Sequence, residues 1–296
     1  MSNKVNTSDK ANTSDKSNTS DVDPKVIIDN IKDSNECAFH KDENTICSPK
    51  HIVKAMADYL GTNSKKDADI VEKMKDKMDC KSESCILKSP EFINFMKVNN
   101  FDHILKEFFK PEGPDQANGW LSNHNIDDVL EQLHKKFPDF LHIPYQMRDF
   151  EKIGTQLATI DMAQVFKDGK KSFGVVLNTD YMRGAGIHWY CLFGEKIGDE
   201  ITIEYFNSSG LAPLPETQAW LHKTEHYLKS QLPNIKVKII YSTGIRFQDD
   251  NHSCGVYCLM YIWLRLEGIK NNWFNSDNFN DAFMHKAREI LFRDNK

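Results

Sequence analysis

Cys254 opens the run Cys-Gly-Val-Tyr-Cys-Leu-Met-Tyr-Ile-Trp-Leu-Arg-Leu, which is apolar on nearly every face. A helix of that composition belongs inside a fold, so Cys254 marks where a central helix begins. Helices usually open on Ser, Thr, Asp or Asn, whose side-chain oxygen satisfies a free backbone N–H. A thiol caps poorly, but the free amides and the positive end of the helix dipole favour thiolate, the nucleophilic form of cysteine. Gly255 follows it, and Gln248 stands six residues before it in Phe-Gln-Asp-Asp-Asn-His-Ser-Cys-Gly. Without such neighbours a cysteine in an apolar segment reads as core. Core is the reading for Cys258, one turn deeper, and for Cys191 within a strand.

A nucleophilic thiol needs a base. His252, two residues away in a tight turn, would need an awkward ring direction to reach it. His222 and His226 lie one turn apart on an amphipathic helix over Glu216 to Leu232, with no third ligand near, and read as a solvated face. His188 is better placed. It lies in Ile-His-Trp-Tyr-Cys-Leu-Phe, which Gly-Glu-Lys-Ile-Gly-Asp-Glu joins to Ile-Thr-Ile-Glu-Tyr-Phe and then Asn207. A hairpin folded about the Ile197/Gly198 bond sets His188 opposite Asn207, and opposed residues share a face. The Asn207 carbonyl is expected to take Nδ1–H of His188, leaving Nε2 for the thiol. In that triad Cys254 attacks a carbonyl and His188, as imidazolium, stabilises the thiolate and protonates the leaving amine. Asn207 fixes the tautomer. Gln248 can donate its amide N–H to the oxyanion beside the Cys254 backbone N–H, and one such donor is worth on the order of 10²–10³ in rate. Glu204 falls on the opposite face from Asn207, and Trp220 and Trp263 are expected in the core.

The elements that position these residues follow from patterning. From Pro24 to about Lys110 the chain is mixed, polar and mostly helical in pattern, with helices expected at Pro49 to Leu60, Lys65 to Met78, Pro90 to Val98 and Asp102 to Phe109. Two prolines and two glycines between Lys110 and Gly119 mark an edge. Beyond it, short β-branched and aromatic runs at Phe173 to Leu177, Ile187 to Phe193, Ile201 to Phe206 and Val237 to Tyr241 alternate with helices. The expected organisation is a low-complexity tail over 1–23, a helical arm over 24–115 and an α+β catalytic unit over 116–296. In the last, the central helix packs on a mixed sheet.

His188-Trp189, an Asn ending the next strand, and Gln248 six residues before Cys254-Gly255 resemble the pattern of the SUMO-specific and adenovirus-type cysteine proteases. The likeness is strongest to the polyprotein-processing proteases of the African swine fever virus type in large DNA viruses. It is also carried by Cys80-Lys-Ser-Glu-Ser-Cys85, Asn125-Ile-Asp-Asp128, Met147-Arg-Asp-Phe150, Val176-Leu-Asn-Thr-Asp180 and Ile203-Glu-Tyr-Phe-Asn-Ser-Ser-Gly210. The resemblance implies cleavage of viral structural polyproteins after the second Gly of Gly-Gly-Xaa, in the host cytoplasm at assembly sites and in the virion. A groove roofed by Trp189 would admit only residues lacking a Cβ, and Trp189 and Gly255 are the expected substrate contacts. Asn207 departs from the Asp of the SUMO proteases and agrees with the swine fever virus type. Two other readings stay open: an enzyme of the same fold that removes ubiquitin-like modifiers, and a binding module with a vestigial triad.

Composition bounds the rest. Three copies of Asn-Thr-Ser-Asp over residues 6–21, with Lys and Asp in balance, hold nothing large and apolar to bury. That segment is expected to be a disordered spacer. A net charge of −5 over 296 residues gives no general pull toward nucleic acid or anionic lipid. No run is long enough to span a bilayer and the N-terminus lacks a signal-peptide order, so membrane insertion is not expected. The seven cysteines are therefore expected to remain thiols. Cys37, Cys47, Cys80 and Cys85 with His40 do not have the usual zinc spacing. No metal or other cofactor is expected.

Overall fold

The computed structural model describes residues 36–41, 46–116, 118–275 and 279–293. The repeat over 6–21 lies outside them. Among the described residues five helices come first: α1 Lys50–Leu60, α2 Asp67–Met78, α3 Glu83–Lys88, α4 Pro90–Met96 and α5 Asp102–Phe108. Four match expected helices. The short α3 was missed, although Ser82 signals its start by accepting the Cys85 N–H at 3.2 Å. Their apolar faces share one cluster around Ile52, Met56, Met74, Phe92 and Phe109.

The expectation of free thiols fails here. Cys37 is bonded to Cys47 and Cys80 to Cys85, at Cα separations of 4.8 and 5.6 Å. Both lie within the span a disulfide bridges. Folding brings these cysteines together in pairs, which neither composition nor the lack of a signal-peptide pattern reveals. With all four sulfurs paired, they offer no thiolate to zinc.

The chain continues with α6 Asn123–Lys136, β1 Phe140–His142, the short helices α7 Phe150–Ile153, α8 Gln156–Thr159 and α9 Met162–Lys167, then β2 Ser172–Asn178, β3 Trp189–Ile197, β4 Glu200–Phe206, α10 Pro215–Gln231, β5 Lys236–Ser242, α11 Cys254–Leu266, a 3₁₀ turn at Asn271–Asn275 and α12 Asp281–Leu291. The strands form one mixed sheet in the order β1-β2-β3-β4-β5. Its outer pairs are parallel and its inner pairs antiparallel. Every residue of β2 is buried because helices cover both faces. One face, with Val176, Cys191, Phe193 and Phe206, takes α11. The other, with Val175, Tyr190, Leu192 and Tyr205, takes α9 and α10, Trp220 among them.

Two devices set the relation of sheet to central helix. Glu204 of β4 points into the α11 face, where Arg265 donates to it twice, at 2.9 and 3.0 Å, and Tyr261 donates its hydroxyl at 2.7 Å. Arg265 also reaches Glu195 of β3 at 2.7 Å. The N-terminal half adds Phe39, whose ring lies 4.6 Å from that of Trp263. Gln132 of α6 accepts the Phe39 N–H at 3.3 Å and donates to the Phe109 carbonyl at 2.6 Å. Among the described residues no helix is long and apolar enough to cross a membrane.

Candidate active site

The β3–β4 hairpin turns on Gly198-Asp199, with Ile197 paired to Glu200. Gly198 has φ +59°, the positive φ that a two-residue turn of type II′ asks of its first residue. The ladder runs from there to Cys191 opposite Phe206. Continued, it sets Asn207 opposite Tyr190, so His188 lies two pairs further out than expected. The offset is two residues, which keeps both side chains on one face; a slip of one would have separated them. His188 Nε2 lies 2.8 Å from Asn207 Oδ1.

That contact reverses the ring assignment expected from sequence. Asn207 Oδ1 also takes the Ser209 N–H at 3.0 Å and the Ser209 hydroxyl at 2.7 Å, while its Nδ2 donates to Tyr205 Oη at 3.0 Å. The amide therefore has one orientation, and its oxygen can only accept. His188 Nε2 must carry the proton, which leaves Nδ1 as the basic nitrogen. Nδ1 is the ring nitrogen nearer the backbone, and the next backbone N–H, that of Trp189, is directed at the Cys254 sulfur. Asn207 is 3% exposed, so these bonds compete little with water.

Cys254 is the first residue of α11, as expected, and is 7% exposed. Burial pushes its thiol up to about 11, against the opposing pull of the Trp189 and Gly255 amides. Burial also lowers the His188 imidazole, and the Asn207 bond restores only part of the loss. Burial thus works against the thiolate–imidazolium pair expected from the helix dipole, because it disfavours both charged forms.

Gln248 is buried and held at both ends. Its Oε1 accepts the Ser208 hydroxyl at 2.7 Å, and its Nε2 lies 3.0 Å from the Asp250 carbonyl and 3.1 Å from Asp250 Oδ1. The Ser208 carbonyl takes the N–H of Phe247 and of Gln248 at 2.9 and 3.1 Å. Ser208 thus binds the strand end carrying Asn207 to the loop carrying Gln248. Gly210 lets them approach: its φ is +71°, and a Cβ there would sit 2.5 Å from the Ile245 carbonyl oxygen.

A cleft of about 250 Å³ opens beside the thiol, walled by Trp120, Tyr145, Met182, Ile187, Trp189 and Cys254. Trp189 is pinned by its Nε1–H to the Leu121 carbonyl at 3.0 Å and meets Tyr145 edge-on at 6.3 Å. Ile187 is 64% exposed and Trp120 57%, so the cleft has an apolar rim. Gly255 does not line it. It is buried against Leu121, where a Cβ would come within 3.1 Å of the Leu121 Cβ, so close packing takes the place of the expected substrate contact.

Other candidates fall where expected. Cys191 and Cys258 are fully buried. Glu204 serves Arg265 and lies away from His188. His222 and His226 are on the exposed side of α10. Two supports were missed. Ser208 is signalled only by a polar Asn-Ser-Ser-Gly closing an apolar strand. Asp250 is signalled by Asp-x-x-Ser before a helix, a turn pattern in which the aspartate accepts nearby amides; its Oδ1 takes those of His252 and Ser253 at 3.0 and 2.9 Å.

No family model matches the chain. A cysteine protease of African swine fever virus (isolate Tick/Malawi/Lil 20-1/1983) is 34% identical over 286 residues, spanning 90% of this chain and 98% of that protein. The SUMO-1 cysteine protease of the isolate Tick/South Africa/Pretoriuskop Pr4/1996 matches with the same identity and coverage. The crystal structure of an African swine fever virus protease superposes with a TM-score of 0.75 at 32% identity, over 88% of this chain and 96% of that one. The α+β fold with a central helix on a mixed sheet is that protease's fold, and the chain belongs to the African swine fever virus family of cysteine proteases.

Proposed function

We propose that this cysteine peptidase cleaves structural polyproteins of a large DNA virus after the second glycine of Gly-Gly-Xaa sites during particle maturation. The observation that carries the reading is the bond between His188 Nε2 and Asn207, which leaves Nδ1 as the basic nitrogen, while the N–H of the next residue, Trp189, is directed at the Cys254 sulfur. In the proposed reaction Nδ1 takes the Cys254 proton as sulfur attacks the scissile carbonyl, then gives it to the leaving amine. In the second half Nδ1 takes a proton from the water that attacks the thioester and passes it to the sulfur as the carbon–sulfur bond breaks, which restores the thiol and the neutral imidazole. The Cys254 backbone N–H and one Gln248 Nε2 hydrogen, shared with Asp250 at rest, would receive the oxyanion. The pinned Trp189 beside the sulfur supports a demand for glycine, since a Cβ would meet the ring. Residues 24–115 are proposed as an arm and 116–296 as the catalytic unit, acting at assembly sites in the host cytoplasm and in the particle.

The test compares an internally quenched Gly-Gly-Xaa peptide with SUMO and ubiquitin conjugates, using wild type and Cys254→Ser. Peptide cleavage after the second glycine by wild type alone is the expected result. Conjugate processing with an untouched peptide would make the chain a deconjugating enzyme, and inertness toward both would make it a binding module.

A further inference from the structure

Asp250 does more than steady Gln248. The fold brings it together with His252, two residues on, and His285, thirty-three residues later on α12. The three side chains present donor atoms that all lie within 4.8 Å of one another. Asp250 Oδ2 is 3.3 Å from His252 Nδ1 and 3.2 Å from His285 Nε2. A tetrahedral zinc ion, with nitrogen and oxygen ligands at about 2.0–2.2 Å, holds neighbouring ligands about 3.3 Å apart. Two of the three edges already have that length. The third joins His252 to His285, whose rings lie nearly parallel with centroids 5.6 Å apart, and a turn of the 45% exposed His285 side chain would shorten it.

The carboxylate is oriented in advance. Its Oδ1 is occupied by the His252 and Ser253 amides and by Gln248, the kind of outer bonding that steadies metal ligands. Ser253 donates to Oδ2 at 2.6 Å, which leaves that oxygen a second lone pair for a cation. The nearby charge favours one. The Asp281 carboxylate takes the amides of Asp249 and Asp250 at 2.9 and 2.8 Å, and Asp249 adds its own charge. Arg288 opposes them from the next turn of α12, where it donates to the His252 carbonyl at 2.9 Å.

We propose that Asp250, His252 and His285 form a site for a divalent transition-metal ion, zinc above others, with water in the fourth position. The ion ties the segment just before Cys254 to α12 and so fixes the loop that carries Gln248. The site shares no residue with the His188–Asn207 pair, and it does not depend on which substrate the enzyme takes.

The experiment titrates Zn²⁺, and Co²⁺ as a visible probe, into the full chain carrying Cys254→Ser, which removes the thiol as a rival ligand. Calorimetry is expected to show one ion per chain, and Co²⁺ to develop the absorption of a tetrahedral nitrogen–oxygen set. Adding His285→Ala or His252→Ala should weaken binding by at least about 10–100-fold, the cost of losing even an outer-shell partner, and erase that absorption. His188→Ala should leave both intact. Equal metal-free melting temperatures for the His285 variant and its parent separate lost ligation from lost fold. Failure to take up either ion at millimolar concentration, unchanged binding in His285→Ala, or loss of binding in His188→Ala would overturn the proposal.

Discussion

The protonation state of Cys254 decides how this site begins its reaction, and pH is the perturbation that reads it. With the thiol pushed up to about 11 by burial, roughly one molecule in three thousand is thiolate at pH 7.5, and the fraction rises about tenfold per pH unit up to pH 10. Alkylation by iodoacetamide consumes thiolate, so its second-order rate at Cys254, followed by mass spectrometry of the Cys254 peptide, should climb with that slope. Cys191 and Cys258 are fully buried and should not react. Turnover has a different profile, because there His188 takes the proton during attack. It must be neutral to do so, and burial holds it below its usual 6.5. The acid limb of kcat/KM therefore lies below pH 6.5, and no alkaline limb appears before pH 9. A rapid alkylation rate that is already level between pH 5 and 8, with kcat/KM falling on both sides of neutrality, would show a resting thiolate–imidazolium pair and refute the reasoning.

Asn207→Ala removes the Nε2 partner of a half-buried imidazole, a loss of about 1–3 kcal/mol. It should lower kcat about 10–100-fold with little change in KM, and Asn207→Asp should recover much of it. Arg265→Met strands the buried carboxylate of Glu204 and that of Glu195. It is expected to cost about 3–5 kcal/mol in urea unfolding, most of it regained when Glu204→Leu is added. Reduction of Cys37–Cys47 and Cys80–Cys85, which close loops of 10 and 5 residues, should lower the unfolding free energy by about 2–3 kcal/mol each. Melting with and without a phosphine reductant measures it, and cysteine-to-serine pairs should reproduce the shift without reductant.

What the sequence made legible follows the range over which each signal acts. Apolar periodicity is local, so α1, α2, α10 and α11 and the central strands stand near their expected bounds. Cys254 is marked by its own neighbours. The partnership of His188 with Asn207 survived an error in register because the error was even, whereas the choice of ring nitrogen was lost: it rests on Ser209 and Tyr205, which orient the Asn207 amide. The burial that opposes the expected thiolate was hidden for a related reason. A helix start can be read from a sequence, but the burial that Leu121, Trp189 and the sheet impose on that start cannot. Contacts between distant segments were hidden altogether, among them the grip of Ser208 on Gln248 and the meeting of Asp250 with His285, while the two disulfides, both local, were set aside by the expectation of free thiols.

The central claim is that one sulfur, served by one imidazole, performs the chemistry. The most direct measurement is the intact mass of the protein after exposure to a Gly-Gly peptide ending in an electrophilic warhead, followed by a peptide map. The account requires a single adduct on Cys254, formed far more slowly in His188→Ala and absent in Cys254→Ser while Cys258→Ser labels normally. An adduct on another residue, or labelling of Cys254 at an unchanged rate without His188, would contradict it.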